Sequence, residues 1–345
     1  MLEWTVSKQE EGRRVDRFLM KMFPQAPLSL IYKALRTKTV KVNAHRADPG
    51  DKLNAGDHIQ VYFSDERAAE LGYQKKTIPT PRVQSSLPSI PIIYEDEQVI
   101  FFNKPAGVLS QKDTPESYSL SEYIVDYLAG QGEVASNAFR PAICNRLDRG
   151  TTGIVAGGKS LGALQSLTAM IREHSSEKTY LAICHGQCHW KKEMWLCHRW
   201  SKDSKRNQVS LEKVYVSENR PYNLIKEGQV LCRAKVLAIS SQYNLTLFSL
   251  QLITGKSHQL RAQLAAEGFP MVGDHKYMGK EKKDSLPFPI KNQLLHAYTF
   301  KVQDALEPLQ YLEHRTFAAP ISGDFMRVTK LAFAQWVPIF SNQGE

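Results

Sequence analysis

The chain has 345 residues, of which 42% are hydrophobic and 10% aromatic, so it can bury one or two cores and is not disordered as a whole. Its formal net charge of +10 favours a polyanionic partner, nucleic acid before an anionic membrane surface. No apolar run reaches the roughly 18 residues of a membrane span, and the first residues are too polar for a signal peptide. We therefore expect a cytoplasmic protein without membrane contact.

Residues 1–63 are predicted to form a small basic α/β module. Four apolar residues in GRRVDRFLMKMF and four in LSLIYKALR recur at the spacing of one helix face, and TVKVN and HIQVYF predict a hairpin beneath the two helices. The apolar residues are Val15, Phe18, Leu19 and Met22 in the first helix and Leu28, Ile31, Tyr32 and Leu35 in the second.

Basic residues occupy the other side of both helices and the turn that follows them. Such a surface fits the phosphates of a nucleic acid, although a solvated charged face is the simpler alternative. The candidate phosphate contacts in this module are Arg13, Arg14, Arg17, Lys33, Arg36 and Lys38.

Residues 64–89 are polar, rich in Pro and Ser, and without periodicity, which predicts a linker. Residues 90–340 are predicted to form a second domain in which strands and helices mix. Ser119 and Ser160 are predicted N-caps of two helices, and IPIIYEDEQVIFFNKPAG, IVAGG and KTYLAIC predict strands. YNLTLFSLQL predicts a further strand, which leads into a helix that begins at Ser257.

The stretch RLDRGTTG places one carboxylate, Asp148, between Arg146 and Arg149 on a loop that enters a buried strand. A guanidinium close by favours the ionised form of a carboxylate, even in a pocket that excludes water. An ionised aspartate suits nucleophilic work better than proton donation. An exposed ion pair at a turn is the alternative reading.

The start of the later helix, TGKSHQLR, carries Lys256, Ser257 and His258, with Arg261 one turn inside. Free backbone N–H groups and the helix dipole both favour an anion at such a place. We therefore expect an anion such as a phosphate near this helix start.

Five cysteines, an odd number without an evident disulfide framework, indicate reduced thiols. The segment CHGQCHWKKEMWLCH could supply ligands for a structural zinc ion. However, a strand over KTYLAIC would send Cys184 and His185 to opposite faces of a sheet. We favour buried thiols with surface histidines and expect no metal.

Six phrases combine over most of residues 91–300: NKPAG, NRLDRGTTGI, KTYLAICHG, TGKSHQLRAQL, GDHKY and LLHAYTF. In order and spacing they resemble the RluA-type pseudouridine synthases, and residues 11–63 resemble the RNA-binding module named after ribosomal small-subunit protein S-four. The resemblance implies an α+β fold, with a mixed, mainly antiparallel central sheet flanked by helices. It also implies an enzyme that isomerises uridine within structured RNA to pseudouridine without cofactor or metal.

The resemblance implies roles for particular residues. Asp148 would be the essential nucleophile or base for a uridine taken out of its stack, Tyr180 would stack on the uracil, and Arg261 would pair with the aspartate. Whether the carboxylate attacks the sugar carbon or removes a neighbouring sugar proton stays open. Further candidates for contact with the RNA or the uracil are Arg146, Arg149, Lys104, Lys256, His258, Gln259 and Leu295. Core packing remains the simpler reading of Tyr180 and Leu295, and solvation that of Arg261.

The accessory module favours large-subunit ribosomal RNA over transfer RNA as the substrate, and we expect a monomer. Three positions depart from the usual family pattern, Gln111, Asn145 and Lys256, and we expect them to affect substrate choice rather than activity. Two alternatives stand beside this hypothesis: an RNA-binding protein without catalysis, and a metal-assisted nuclease that uses the Cys/His segment.

Overall fold

The computed structural model describes residues 1–73, 89–131, 139–203, 208–214, 226–279 and 286–338. Within these ranges the strands form two sheets, one of three strands and one of eleven. The first part of the chain contains β1 (Leu2–Thr5), α1 (Val15–Met22), α2 (Leu28–Arg36), β2 (Val40–Val42), β3 (His58–Val61) and α3 (Asp65–Glu70).

The small sheet has the antiparallel order β1-β3-β2, and α1 and α2 share one apolar core with it. The predicted helices and hairpin are therefore present. The sequence analysis missed β1, although Leu2 and Trp4 turn toward the core while Glu3 and Thr5 are exposed, which is the period-2 alternation of a half-buried strand.

The apolar face predicted for the first helix is buried throughout, but the face predicted for the second is partly wrong. Leu28 and Tyr32 are 44% and 40% exposed, and α2 reaches the core through Ile31, Ala34 and Leu35. In this nine-residue helix the small Ala34 is therefore buried, while the larger Leu28 and Tyr32 lie in solvent.

The prediction of a linker that begins at residue 64 is wrong for its first residues. The Ser64 hydroxyl accepts a hydrogen bond from the Arg67 amide at 3.2 Å and caps α3, and Ala68 and Leu71 are buried in the core of the small sheet. A serine followed by two acidic residues is a helix-start signal that composition alone obscured. The later part of the predicted linker, 74–88, lies outside the described residues.

The second part of the chain builds the large sheet and four further helices. The strands are β4 (Ile92–Glu95), β5 (Val99–Lys104), β6 (Ala142–Ile143), β7 (Thr152–Gly158), β8 (Ser176–His185), β9 (Met194–Asp203), β10 (Gln208–Lys213), β11 (Gln229–Ser240), β12 (Leu245–Leu252), β13 (Leu295–Val302) and β14 (Thr316–Ala318). The helices are α4 (Leu120–Gly130), α5 (Leu161–Arg172), α6 (Gln259–Ala266) and α7 (Gly323–Ala332).

The large sheet runs in the order β10-β9-β11-β12-β8-β13-β7-β5-β4, with β14 beside β13 and β6 beside β7. In the described part of the chain β13 and β7 pair in parallel, and the other pairings are antiparallel. This mixed, mainly antiparallel sheet with helices packed against it confirms the expected α+β fold. Among the described helices, none combines the length and apolar character that a membrane crossing would need.

Alternation along the strands separates the cores on the two faces of the large sheet. On β8, Tyr180 turns to the core that includes α4 and α6, whereas Leu181 turns to the core that includes α7. On β5, Phe102 and Phe101 divide in the same way, with Phe101 packed under α5. The face that carries Tyr180 is the one on which the functional residues collect.

The parallel contact between β7 and β13 depends on a glycine. Gly153 lies opposite Ala297, its φ is +108°, and a Cβ built on it would lie 2.1 Å from the Ala297 carbonyl oxygen. We expect Gly153→Ala to lower the free energy of unfolding by about 3 kcal/mol, from crowding plus backbone strain. Urea denaturation followed by circular dichroism measures this loss.

Gly130→Ala is the matched control, because no atom of the described residues lies within 4 Å of the added methyl group at the end of α4 and no positive φ is required there. It should leave the stability unchanged or raise it by up to about 1 kcal/mol. Equal stability of Gly153→Ala and the wild type would contradict the close approach of the two strands.

Candidate active site

A pocket of about 270 Å³ opens on the Tyr180 face of the large sheet. Its walls come from the loop before β7, from β8, β9 and β13, from the end of β12, and from the turn and first residues of α6. Of the residues singled out from the sequence, the pocket brings together Arg146, Asp148, Tyr180, Lys256, His258, Gln259, Arg261 and Leu295.

Asp148 lies in this pocket and pairs with an arginine from α6. Arg261 Nη1 donates a hydrogen bond to Asp148 Oδ2 at 2.9 Å, and the two side chains are 10% and 25% exposed. The two arginines that flank Asp148 in sequence do other things: Arg146 is exposed at the pocket, and Arg149 Nε donates to the Gly107 carbonyl. The ion pair is therefore long-range, and it leaves the carboxylate partly open to the pocket.

Arg261 is itself held by a second carboxylate, Asp274. Arg261 Nε and Nη2 donate to the two oxygens of Asp274 at 2.7 and 2.8 Å, and the Asp274 side chain is fully buried. Burial acts to lower the pKa of Arg261, but the hydrogen bonds and charges of Asp274 and Asp148 outweigh it and raise the pKa above its ordinary value. The guanidinium therefore stays charged and fixed between two carboxylates.

The backbone before Asp274 fixes that carboxylate. Gly273 has a φ of +74°, and a Cβ on it would lie 2.3 Å from the Asn292 carbonyl oxygen. Asp274 Oδ1 also accepts hydrogen bonds from the amides of Lys276 and Tyr277 at 3.1 and 3.3 Å. The motif GDHKY contributes to the family resemblance, but no role was predicted for Asp274. The sequence around Asp274 does not show that its partner is Arg261.

Tyr180 is 7% exposed and lies beside the aspartate. Burial raises the pKa of Tyr180 above its ordinary value, and the charge of Asp148 adds to the shift. The phenol therefore stays protonated at neutral pH and presents an uncharged ring. Leu295, 5% exposed, lines the same pocket from the neighbouring strand.

The turn before α6 differs in one respect from the prediction. The N-cap is His258, with a φ of +55°, rather than Ser257. The side-chain oxygen of Gln259 accepts hydrogen bonds from the Lys256 amide and the Thr254 hydroxyl, which closes the turn one residue later than the sequence suggested. His258 Nδ1 lies 3.0 Å from the Tyr277 hydroxyl, so the histidine is also tied to the segment that carries Asp274.

Comparison with known proteins identifies the family of this chain. Residues 98–266 match the family model described as RNA pseudouridylate synthase. A protein of Mycoplasma pneumoniae called an uncharacterized RNA pseudouridine synthase is 31% identical over 298 residues, 86% of each chain. The chain belongs to the RNA pseudouridine synthase family. The resemblance to the RluA-type enzymes is thereby confirmed, and the protein is an RNA pseudouridine synthase.

Ribosomal large subunit pseudouridine synthase C of Escherichia coli (strain K12) is 30% identical over 331 residues, which is 94% of this synthase and 90% of that protein. Among solved structures, Human RNA Pseudouridylate Synthase Domain Containing 4 matches with a TM-score of 0.49 at 20% identity, over 69% of this chain and 91% of that chain.

Two residues predicted to contact RNA hold the synthase together. Lys104 is fully buried, and its ammonium donates to the carbonyls of Pro105, Val108 and Arg149 at 3.0, 2.8 and 3.2 Å. Burial lowers the pKa of Lys104 to about 7, and the charge of Asp148 opposes that shift. Lys104 therefore ties the loop after β5 to the loop that carries Asp148, and the prediction of a phosphate contact is wrong.

Gln259 is the second such residue. It is 3% exposed, and besides closing the turn it donates from Nε2 to the Leu231 carbonyl at 3.1 Å and to Gln263 Oε1 at 3.0 Å. With its oxygen and its amide both engaged inside the protein, it holds the start of α6 against β11. Gln259 still lines the pocket, so its contact with RNA stays a prediction.

The Cys/His segment of the synthase is part of the fold. All five cysteines are reduced, and Cys184, Cys188 and Cys197 are buried. His189 is exposed as predicted, but His185 and His198 are buried, which corrects the expectation of surface histidines. Within the described ranges no group of three or more His, Cys, Asp or Glu side chains could hold a metal ion.

Proposed function

We propose that this synthase isomerises one or more specific uridines of large-subunit ribosomal RNA to pseudouridine, in the cytoplasm and as a monomer, with Asp148 as the essential residue. The observation that carries the proposal is the Asp148 carboxylate, held by Arg261 at a pocket that Tyr180 and Leu295 line. The choice of RNA is supported by the relatives named ribosomal large subunit pseudouridine synthase C.

The target uridine must leave its helix to reach the carboxylate. Extruding a base costs a few kcal/mol of lost pairing and stacking. The pocket offers the uracil the Tyr180 ring and the Leu295 side chain in return, and Arg146, exposed at the pocket, is placed to fill the space that the base leaves. We therefore propose base flipping, because a uridine that stays stacked in its helix could not bring its ribose to the Asp148 carboxylate.

Two routes fit a carboxylate in this position. Asp148 can attack C1′ of the ribose, forming an ester bond as the bond from C1′ to N1 breaks and uracil leaves with the electron pair. Alternatively the carboxylate takes the C2′ proton as the same bond breaks, which leaves a glycal, and later returns that proton. In both routes uracil turns and C5 bonds to C1′; in the first route the ester bond from C1′ to Asp148 breaks at this step and releases the carboxylate. The C5 proton then leaves and N1 gains one.

No cofactor is needed for this reaction, because product and substrate contain the same atoms in the same overall oxidation state. What the protein must supply is a carboxylate that stays ionised next to the sugar, and Arg261 supplies the positive charge that favours it. The protonated phenol of Tyr180 can stack on the uracil and donate a proton, but it is a poor base at neutral pH.

The N-terminal module is proposed to bind the RNA backbone. A groove of about 420 Å³ lies along α2 and the loop after β2, and Lys33, Arg36 and Arg46 line it together with Tyr32. Asp48 lines the same groove and forms an ion pair with Arg46 at 3.4 Å, but both of these side chains are exposed to solvent. Arg17 and Lys38 are also exposed, and exposed cations of this kind can contact RNA phosphates.

Arg13 and Arg14 are less suited to this role than the sequence suggested. Arg13 is half-buried, and burial lowers the pKa of its guanidinium. Arg14 Nη2 donates to the buried carboxylate of Asp16 at 2.7 Å, so its charge is already compensated within the module. The proposed RNA surface therefore centres on the groove rather than on the start of α1.

Replacing Lys33, Arg36 and Arg46 together by Gln should weaken RNA binding and lower the salt dependence of the dissociation constant. Each lost phosphate contact reduces the slope of log K against log salt by about 0.7–0.9, so the triple variant should lose about 2. Filter binding at several salt concentrations measures the slope. The matched control replaces the exposed Arg172, Lys301 and Lys330, which line neither pocket; equal slopes for the two triple variants would contradict the proposed surface.

Tritium release tests the function itself. Because the C5 hydrogen leaves during the reaction, transcripts of large-subunit ribosomal RNA labelled with [5-³H]uridine should release tritium with the wild-type protein, while a transfer RNA pool labelled in the same way should not. Mapping of the product then locates the modified uridine. Release from transfer RNA alone, or from neither RNA, would overturn the proposed substrate.

A further inference from the structure

Trp200 lines the pocket but belongs to none of the motifs that carry the family resemblance. It lies on β9, half-buried, between the neighbouring strands β10 and β11. Its register is fixed: Trp200 pairs with Leu211, and its amide donates to the Gly228 carbonyl at 2.8 Å. The sheet therefore fixes the backbone position of Trp200.

The indole is also tied to the turn before α6. Trp200 Nε1 lies 3.4 Å from the Ser257 carbonyl oxygen and donates to it, and the Lys256 ammonium lies 5.9 Å from the centre of the Trp200 ring. With its polar edge engaged by the backbone, what Trp200 offers to the pocket is the apolar surface of the ring. An apolar ring beside a cation suits a nucleotide, whose base stacks while its phosphate is neutralised.

The exposure of the ring decides which nucleotide this is. Tyr180, Leu295 and Asp148 line the part of the pocket where the target uridine is proposed to bind. Trp200 is more exposed than Tyr180 and contacts the turn that carries Lys256 and Ser257, so its ring is open to RNA beyond the target nucleotide.

We propose that Trp200 stacks on the base adjacent to the everted uridine, while Lys256 contacts a phosphate of that neighbouring nucleotide. The inference rests on the proposed base flipping and deepens it, because it makes the neighbour of the target part of what the synthase recognises. Stacking tolerates any base but requires that one be present. Trp200 is in this sense a substrate-binding residue rather than a catalytic one.

A thermodynamic cycle between protein and RNA tests the proposal. The RNA is a hairpin that contains the uridine modified by the wild type, with the nucleotide on its 5′ or its 3′ side replaced in turn by an abasic residue. Wild-type protein should bind one of the two abasic hairpins about 5- to 150-fold more weakly than the intact hairpin. Trp200→Ala should bind the intact hairpin with a similar loss and lose little more with the abasic one, and Trp200→Phe should stay within about threefold of the wild type.

Trp195→Phe is the matched control. Trp195 lies on the same strand but packs against the Cys197 cluster and the Arg233 guanidinium, away from the pocket, so its replacement should leave the cycle unchanged. If the losses of affinity from Trp200→Ala and from the abasic residue multiply for both abasic hairpins, the inference is overturned. A fall in kcat of Trp200→Ala with an unchanged dissociation constant would overturn it as well. A failure of the proposed function is distinguishable, because wild-type protein would then form no pseudouridine in the ribosomal RNA from which the hairpin is taken.

Discussion

Replacing Asp148 by Asn is expected to lower turnover by at least about 10⁴-fold, the scale of loss when an essential catalytic group is removed. The amide keeps the size and the hydrogen-bond acceptor that Arg261 contacts, but it can neither attack C1′ nor take a proton from C2′. RNA affinity should stay within about threefold, because affinity rests on phosphate contacts elsewhere. Single-turnover tritium release and filter binding measure the two quantities.

Asp304→Asn is the matched control for that experiment. Asp304 is exposed and lies outside the pocket, so its replacement should change neither turnover nor binding. Measurable turnover by Asp148→Asn, within about tenfold of the wild type, would show that another group performs the chemistry.

Replacing Asp274 by Ala is the second large effect that we expect. The variant leaves the buried Arg261 guanidinium with Asp148 as its remaining partner, and removing one member of a buried ion pair costs about 3–5 kcal/mol. We expect a loss near the lower end, about 3 kcal/mol in the free energy of unfolding, because Asp148 still compensates the charge. Urea denaturation measures it.

Asp274→Ala should also lower kcat by about 100-fold, the cost of misplacing a reacting group by about 1 Å. Asp274 does not line the pocket, so the KM for RNA should change much less than kcat. Asp274→Asn, which keeps hydrogen-bond acceptors for the arginine, should recover part of both losses. A variant with normal kcat and lowered stability would mean that Asp274 supports the fold without placing the carboxylate.

Local sequence signals predicted local structure well. Ser160 caps α5 through a hydrogen bond from the Ala163 amide, and the turn between β4 and β5 lies where the acidic residues indicated it. Where short elements have little periodicity the predictions were less accurate, as with the buried face of α2 and the missed β1. In such elements tertiary packing decides which residues are buried.

The site shows a different limit. Position alone suggested that Arg146 and Arg149 would hold Asp148, yet the partner is Arg261, 113 residues later in sequence, as the family resemblance implied. Asp274 could not be found, because its partner lies on another element and carboxylates next to glycines are common. A residue in a family motif can face the ligand or bind the protein's own backbone, and the motif does not distinguish the two. Lys104 binds backbone carbonyls.

These errors have one physical cause. Sequence spacing specifies which residues share a face of an element, but it does not specify which elements meet. The pocket forms because β8, β13, the loop before β7 and α6 converge on one face of the sheet, and that convergence is a property of the whole fold.

The most direct test of this account is an experimental structure of the Asp148→Asn variant bound to its RNA hairpin. We predict that the target uridine is everted into the pocket, with its uracil against Tyr180 and C1′ of its ribose within about 3.5 Å of the residue 148 side chain. A target uridine that remains stacked in the RNA, or that binds away from Tyr180 and Arg261, would contradict the account.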